Sequence, residues 1–330
     1  MATGAPRAHG GLVVDIGGTK VAAALVREGE IAARARLDTG DRPADVLASD
    51  IVSAARQLVQ RAAVSLEAVV VAVPGTIDRK AGVVVNAANL PFCNFPLSAA
   101  LSHRLGDVRV ILEDDANCGA VGEASAGAAG KLRDLVYITL STGIGMGAVM
   151  GGELVVGAHG SAGELGHVTV APGGRLCGCG RRGCLEAYAS GRAIASLGSE
   201  LLTAKSGSLL AASVAGAAEV TAQAVIGAAE RGDGDCLEII DNAHSRIVDA
   251  VRMLQFVIDP EVVVLGGGLM ASTFFNGRLL GAFRSQLGGA GPGPLVRPSV
   301  CGDDSVIVGA MHILSVALGN RDGDEARERP

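Results

Sequence analysis

Residues 162–186 read AGELGHVTVAPGGRLCGCGRRGCLE, and this stretch gathers three of the seven cysteines of the chain. Cys177, Cys179 and Cys184 lie in a glycine-rich segment, and His167 precedes the first of them by ten positions. Three thiolates and one imidazole complete a tetrahedral zinc shell, and the short C-x-C and C-x₄-C spacings let one tight loop present the sulfurs together. A glycine-rich hairpin that holds thiols without metal is the alternative. The stretch predicts a structural Zn²⁺ site.

Two carboxylates flank this predicted zinc loop. Glu164 precedes His167 by three residues, and Glu186 follows Cys184 by two. Since a zinc-bound loop draws its two ends into one place, we expect both carboxylates to lie beside the metal site. There they would offer hydrogen-bond acceptors to a polar ligand.

Length, composition and charge narrow the class of protein. The 330 residues, 49% of them hydrophobic, suffice for two domains with sizeable cores and exclude a disordered chain. A net charge of −6 without any basic block argues against a nucleic-acid or anionic-membrane partner. The odd cysteine count, the polar start and the short apolar runs favour a cytoplasmic protein without a membrane-spanning segment. Forty-eight glycines and no tryptophan indicate that backbone-lined loops bind the ligands.

Two glycine turns follow apolar strands. Leu12–Val14 leads into Asp15-Ile-Gly-Gly-Thr-Lys20, and Leu135–Leu140 leads into Ser141-Thr142-Gly143-Ile-Gly145. A strand-like segment follows each turn, so each forms a hairpin whose amides can hold phosphate oxygens, with Asp15 placed for Mg²⁺ or its waters. A plain hairpin explains the first turn equally well when it is taken alone. The pair predicts a duplicated α/β unit that encloses a nucleotide.

Other strand ends also carry polar or glycine-rich residues. Arg109–Leu112 delivers Glu113-Asp114-Asp115 to the start of a helix, where adjacent carboxylates act as N-caps or as a general base. Asn89 follows the strand Val83–Val85, and three glycines follow the strand Glu261–Leu265. Further predicted helices are Pro43–Val64, Gly191–Leu202, Thr221–Glu230 and Asp235–Phe256.

In this order and spacing the motifs resemble the ROK family of sugar kinases and related repressors, in the actin-like ATPase superfamily. DIGGTK, DDAN, STGIGMG, AGELGH with its cysteines, and LGGGL match from Asp15 to about Gly309. The resemblance implies an α/β, two-domain actin-like ATPase (ribonuclease H-like) fold with its active site in the interdomain cleft. It implies an N-terminal α/β domain over 11–114, a C-terminal helix at about 305–318 that packs back on it, a larger zinc-containing domain over 115–304, and a flexible tail over 319–330.

The resemblance also implies a role for each motif. Asp115 would accept the proton of a primary sugar hydroxyl as that oxygen attacks the γ-phosphate of MgATP. His167 would ligate the structural zinc and bind sugar, so that the metal orients its ring. The implied sugar-binding residues are Gly75, Asn89, Asp114, Glu164, His167 and Glu186. The implied ATP-binding residues are Asp15, Gly17, Gly18, Thr19, Lys20, Thr142, Gly143 and Gly267.

Two departures from the family's pattern bear on the substrate. The usual Asn-Asp pair is Asp114-Asp115 here, and Phe92-Cys93 replaces the Gly-Trp that often follows Asn-Leu-Pro. An ionised Asp only accepts hydrogen bonds, so Asp114 would suit an amino group, as in 3-amino-3-deoxyglucose (kanosamine). Alternatively, Asp114 tolerates glucose and raises the pKa of Asp115. The expected activity is a hexose kinase for glucose or such an amino sugar, with N-acetylmannosamine, another hexose or a cyclitol as alternatives.

Three other functions compete with the kinase. A DNA-binding repressor of the same family would need an N-terminal helix-turn-helix, and only about ten residues precede the first strand. A catalytically silent sugar-binding regulator would need neither Asp115 nor the two phosphate hairpins. A nicotinamide dehydrogenase would need a helix after Gly145, where the sequence predicts a strand. The expected partners are a small sugar and ATP rather than nucleic acid or membrane, and the family implies a homodimer or a dimer of dimers.

Overall fold

The computed structural model describes residues 8–87, 89–126, 133–204, 208–287 and 293–325. They group into two units. The first is drawn from Met1–Gly127, Val156–Ala162 and Asp304–Pro330, and the second from Ala128–Val155 and Gly163–Asp303.

Strands and helices alternate along both units. The strands are β1 (Ala8–Ile16), β2 (Lys20–Arg27), β3 (Glu30–Asp38), β4 (Val64–Ala72), β5 (Thr76–Asp78), β6 (Val83–Asn86), β7 (Cys93–Phe95), β8 (Arg109–Glu113), β9 (Leu135–Leu140), β10 (Ile144–Met150), β11 (Glu153–Leu154), β12 (Val262–Gly266) and β13 (Leu295–Pro298). The helices are α1 (Ala44–Ala62), α2 (Leu97–Leu105), α3 (Asp115–Ala126), α4 (Glu186–Ala189), α5 (Gly191–Ala204), α6 (Ala222–Glu230), α7 (Gly234–Val257), α8 (Thr273–Gln286) and α9 (Ser305–Glu325).

The first unit has a five-stranded sheet in the order β3-β2-β1-β4-β8. β1 to β3 form an antiparallel meander, and β1, β4 and β8 run parallel. Because side chains alternate along a strand, Leu12 and Val14 face the core shared with α1 and α2, whereas Val13 faces the core shared with α3 and α9. Helices on both faces explain why β1 and β4 are apolar throughout their central residues.

The helix α3 belongs to the first unit, which corrects the predicted domain boundary between Asp114 and Asp115. It packs closely on α9, and a β-carbon on Gly122 would overlap the carbonyl oxygen of Ser305. The buried carboxylate of Glu123 accepts a hydrogen bond of 3.1 Å from the Ser305 hydroxyl. The sequence prediction cut the chain at the end of β8 and missed this helix pair, whose members are far apart in sequence.

The C-terminal helix α9 packs on β1 and β4 through Ile307, Ala310 and Leu314. Among the described residues, the stretch Gly302–Gly319 is long and apolar enough to span a membrane by length and composition. Its buried positions here lie in the core of the first unit. The tail was predicted to begin at residue 319, and α9 extends beyond that point to Glu325. No proline interrupts this segment, and a glycine inside a helix costs only about 1 kcal/mol. Residues 326–330 of the predicted tail lie outside the described part of the chain.

The second unit repeats the topology of the first. Its sheet has the order β11-β10-β9-β12-β13, with an antiparallel meander β9 to β11 and parallel neighbours β9, β12 and β13. Ile138 on β9 and Leu265 on β12 pack in one core with Ile247 and Val251 of the long helix α7. Thus both glycine turns follow the first strand of a meander, as the predicted duplication requires.

Most predicted elements appear with shifted ends. α1 ends at Ala62, where Ala63 adopts a left-handed conformation, so Val64 opens β4 instead of closing the helix. The sequence prediction missed β3, whose residues alternate between exposed and half-buried positions. Its alanines and arginines give little of the β-branched or aromatic pattern that marks a strand.

His244 on α7 is a buried neutral imidazole. It is 2% exposed, its ring packs edge-on against Phe275 at 4.4 Å between centroids, and the buried Nε2 has no hydrogen-bond partner within the part of the chain that the structure describes. Burial lowers the pKa of His244 from 6.5 to about 4, Asp241 opposes that shift and Arg278 supports it. Well above pH ~6.5 the imidazole is neutral in both the folded and the unfolded chain, so its titration does not change the free energy of unfolding there. As the pH falls toward ~4, the unfolded chain takes up a proton that the folded chain excludes.

We therefore expect His244 to reduce the free energy of unfolding by about 2–3 kcal/mol between about pH 7 and about pH 4.5. Urea unfolding of wild type and His244→Leu at both pH values measures this, and the variant should lose correspondingly less stability. His103→Leu changes an exposed histidine and serves as the control. An equal acid loss in wild type and His244→Leu would contradict the prediction.

Candidate active site

The predicted zinc ligands come together in the second unit. The ligand atoms of His167, Cys177, Cys179 and Cys184 all lie within 4.8 Å of one another. The sulfurs of Cys179 and Cys184 are 3.7 Å apart, as are the Cys177 sulfur and His167 Nδ1. Around a tetrahedral zinc with Zn–S bonds of about 2.3 Å, neighbouring sulfurs lie about 3.8 Å apart. The four side chains therefore fit a zinc ion.

Close backbone contacts shape this zinc loop. The Cys177 amide donates to the Arg181 carbonyl at 2.8 Å, and the Gly180 amide donates to the Cys177 carbonyl at 2.9 Å. Gly183 has a φ of +82°, and a β-carbon there would overlap the carbonyl oxygen of Ala171. Glycine is needed at this position for both reasons, which accounts for part of the glycine richness seen in the sequence.

His167 ends a short 3₁₀ helix, Leu165–His167, and presents its two ring nitrogens to different groups. Nδ1 faces Cys177, whereas Nε2 lies 3.9 Å from the nearest carboxylate oxygen of Glu164. A metal on Nδ1 would leave the proton on Nε2 and so make that nitrogen a hydrogen-bond donor.

Glu186 connects the zinc loop to the second glycine turn. It is the first residue of α4, and its Oε2 accepts a hydrogen bond of 3.0 Å from the Ile144 amide. A β-carbon on Gly143 would lie 2.7 Å from the same oxygen. Gly267, with a φ of +90°, packs equally tightly on the carbonyl of Leu140. The structure thus places Glu186, Gly143 and Gly267 around the turn that contains Thr142.

The first glycine turn is held by a residue that sequence reasoning missed. Thr39 is 1% exposed; its hydroxyl donates to the Gly17 carbonyl at 2.6 Å, and its amide donates to the Thr19 carbonyl at 3.0 Å. Gly18, Thr19 and Lys20 remain exposed. Thr39 lies just after β3, and the unrecognised strand left no signal that its end would return to this turn.

Two carboxylates interact through their charges near this turn. Asp15 is the second-last residue of β1, and Asp115 begins α3 just after β8. Burial and, to a smaller extent, the charge of Asp115 raise the pKa of Asp15 to about 7. The charge of Lys20 opposes this shift. A partly buried carboxylate that is repelled by a neighbouring carboxylate is stabilised by a divalent cation, so this pair fits the predicted Mg²⁺ position.

Asp114 is the N-cap of α3. Its Oδ1 accepts hydrogen bonds from the amides of Ala116 at 3.0 Å and of Asn117 at 3.2 Å. Asp115 Oδ1 also accepts from the Ala116 amide, at 2.9 Å. The capping role that the sequence left open is therefore present, and it satisfies amides at the start of the helix.

The remaining predicted sugar residues of the first unit lie in one loop region. Among the described residues no donor reaches the buried Asn89 Oδ1, and a β-carbon on Gly18 would lie 3.3 Å from that of Asn89. Gly75 has a φ of +112° and packs on the carbonyl of Asn86. A buried amide oxygen without a partner is costly unless a ligand donates to it. Asn89 therefore fits a ligand contact next to the first turn.

Comparisons with known proteins agree with these features. The ROK family pattern matches residues 11–316. A glucokinase of Thermotoga maritima is 36% identical over 260 residues, which are 78% of this chain and 81% of the relative. An N-acetylmannosamine kinase of Yersinia pseudotuberculosis is 33% identical over 280 residues, 84% of this chain and 89% of the relative.

Solved structures show the same similarity. A ROK family glucokinase from Streptomyces griseus, in complex with glucose and AMPPNP, aligns with a TM-score of 0.80 and 31% identity over 92% of this chain and 98% of that chain. A ROK hexokinase from Thermus thermophilus aligns with a TM-score of 0.77 and 32% identity over 93% of this chain and 99% of that chain. These alignments confirm the predicted α/β fold of the actin-like ATPase type. With its family pattern matched over almost the whole length, the chain belongs to the ROK family.

Proposed function

We propose that this protein transfers the γ-phosphoryl group of ATP to the primary hydroxyl of glucose or of a glucose-like amino sugar. The chain is a sugar phosphotransferase, as its 36% identity to a glucokinase indicates. The observation that carries the residue assignment is the carboxylate pair Asp15 and Asp115, which lies beside a turn with exposed backbone. Such a pair suits one metal-binding and one proton-accepting carboxylate.

In the proposed reaction, Asp115 accepts the proton of the sugar hydroxyl as its oxygen attacks the γ-phosphate in line. Asp15 would hold Mg²⁺ or its waters, and the bound cation would offset the charge of the phosphates. Gly17, Gly18, Thr19 and Lys20 of the first turn are assigned to ATP. Thr142, Gly143 and Gly267 are assigned to it as well.

Sugar hydroxyls are assigned to Glu164, His167 and Glu186 and, separately, to Gly75, Asn89 and Asp114. The zinc ion would hold His167 through Nδ1, so that Nε2 points away from the metal as a donor to a hydroxyl. We therefore propose zinc as a structural ion that orients a sugar-binding histidine.

A panel of hexoses tests the proposal. ATP-dependent turnover of glucose or of an amino hexose supports it, whereas turnover of N-acetylmannosamine, another hexose or a cyclitol in their place assigns a different substrate. Tight sugar binding without turnover of any of them would favour a silent sugar-binding regulator.

The amino-sugar specificity is tested at Asp114. Its capping oxygen is Oδ1, and asparagine caps helices about as well as aspartate, so Asp114→Asn should leave α3 intact. If the carboxylate faces an amino group, this change should lower kcat/KM for 3-amino-3-deoxyglucose relative to glucose by about tenfold or more. Steady-state kinetics on both sugars measures the ratio. An unchanged ratio would leave Asp114 as a helix cap without a role in specificity.

We further propose that the protein acts in the cytoplasm as a homodimer or a dimer of dimers. Light scattering coupled to size-exclusion chromatography would show the assembly, and a monomer at micromolar concentration would contradict it.

A further inference from the structure

Arg79, to which the sequence analysis assigned no role, contacts Glu113 two residues before the proposed base. It follows β5 in a turn where Asp78 Oδ1 accepts hydrogen bonds from the amides of Lys80 at 3.0 Å and Ala81 at 2.9 Å. The Arg79 side chain is 24% exposed, and it contacts Glu113, which is 10% exposed. The turn thus presents a guanidinium to the end of β8.

The contact is a fork. Arg79 Nε donates to both oxygens of Glu113, at 3.2 Å and 3.0 Å, and Nη2 donates to Oε1. The ion pair with Glu113 raises the pKa of Arg79, and the charge of Asp114 contributes to the shift. Paired donors on a carboxylate fix its plane as well as its position.

Glu113 also accepts hydrogen bonds at the junction between β8 and α3, where the proposed base Asp115 lies. Its Oε1 accepts from the Asp114 amide at 2.8 Å and from the buried Asn117 side-chain amide at 2.9 Å. Its own carbonyl accepts from the Val73 amide at 2.9 Å, which ties the junction to β4. One carboxylate therefore holds the residue before Asp115 and a residue in the first turn of α3.

We propose that the Arg79–Glu113 pair is a positioning element that holds Asp115 in line with the sugar hydroxyl. Removing Arg79 would leave the Glu113 carboxylate nearly buried and uncompensated. It would then rotate toward water, and the Asp114 and Asn117 donors would lose their fixed acceptor. The inference rests on the proposed kinase function, because position matters only if Asp115 acts as the base.

Four variants test the proposal: Arg79→Met, Arg79→Lys, Glu113→Gln and the double variant Arg79→Met with Glu113→Gln. Arg79→Met should lower kcat about 10- to 100-fold, as a misplaced base does, while KM for sugar and ATP changes less. Glutamine keeps an acceptor oxygen but no charge, so the double variant should regain much of the lost kcat. Arg34→Met is the control, since it breaks an exposed fork to Asp304 in the same unit.

Each kinetic outcome either supports or overturns the positioning role of Arg79. A kcat of Arg79→Met equal to that of Arg34→Met overturns the proposal, and so does a double variant slower than either single one. If Arg79→Met does not fold, Arg79→Lys keeps the charge without the fork and should show an intermediate kcat at near-wild-type Tm; wild-type kcat would overturn the proposal. A wild-type protein inactive on every sugar overturns the proposed function itself, whereas an active wild type with an unaffected Arg79→Met overturns only the positioning role.

Discussion

Asp115→Asn should lower kcat by about 10²- to 10⁴-fold, the range that general-base catalysis contributes. Asparagine keeps an oxygen that can accept the Ala116 amide hydrogen at the start of α3, so the backbone should stay in place. The variant lacks only the carboxylate that takes the hydroxyl proton. Coupled-assay kinetics measures kcat, and calorimetry measures the Kd values of sugar and ATP.

The same substitution has a predicted effect on its neighbour. Burial and the charge of Asp115 raise the pKa of Asp15, so removing that charge should leave Asp15 more fully ionised at neutral pH. Binding of MgATP should therefore be unchanged or tighter. Asp45→Asn, an exposed first-turn carboxylate of α1, is the control. A kcat of Asp115→Asn within about tenfold of wild type would remove Asp115 as the base.

Cys179→Ser should release zinc and raise KM for sugar by about 10- to 100-fold. Without the metal, the His167 ring is no longer oriented through Nδ1. Glu186 is no longer held in place by the metal-closed loop, which ends two residues before it at Cys184. Metal analysis of the purified protein gives the zinc content, and sugar titration gives the affinity independently of turnover.

A second cysteine controls for the loss of a thiol. Cys301 is only half-buried and lies outside the cluster, so Cys301→Ser should keep both zinc and sugar affinity. If Cys179→Ser lost its zinc and still bound sugar as wild type does, the coupling between metal and histidine would be refuted. Because Glu186 also accepts from the Ile144 amide beside Gly143, a weaker affinity for ATP is expected in the same variant.

Much of the fold could be predicted from local sequence patterns. The apolar strands, the two glycine turns and the helix α7 were found because each depends on neighbours in sequence. The strand β3 was missed because its half-exposed, alanine-rich pattern lacks a clear period. The boundary at Asp114 was misplaced because α3 is held by α9, and no local feature of either helix reveals that contact.

By itself, the sequence predicted which four donor residues come together in the loop over residues 167–184, and it located the two glycine turns. Cys177, Cys179, Cys184 and His167 lie within eighteen consecutive residues, so short spacing alone brings their donor atoms together. Tertiary structure decided the rest. Arg79 meets Glu113 across 34 positions, and Glu186 meets Ile144 across 42. Such pairs depend on strand register and on how loops return over the sheet, and those are set by the packing of the whole unit rather than by nearby residues.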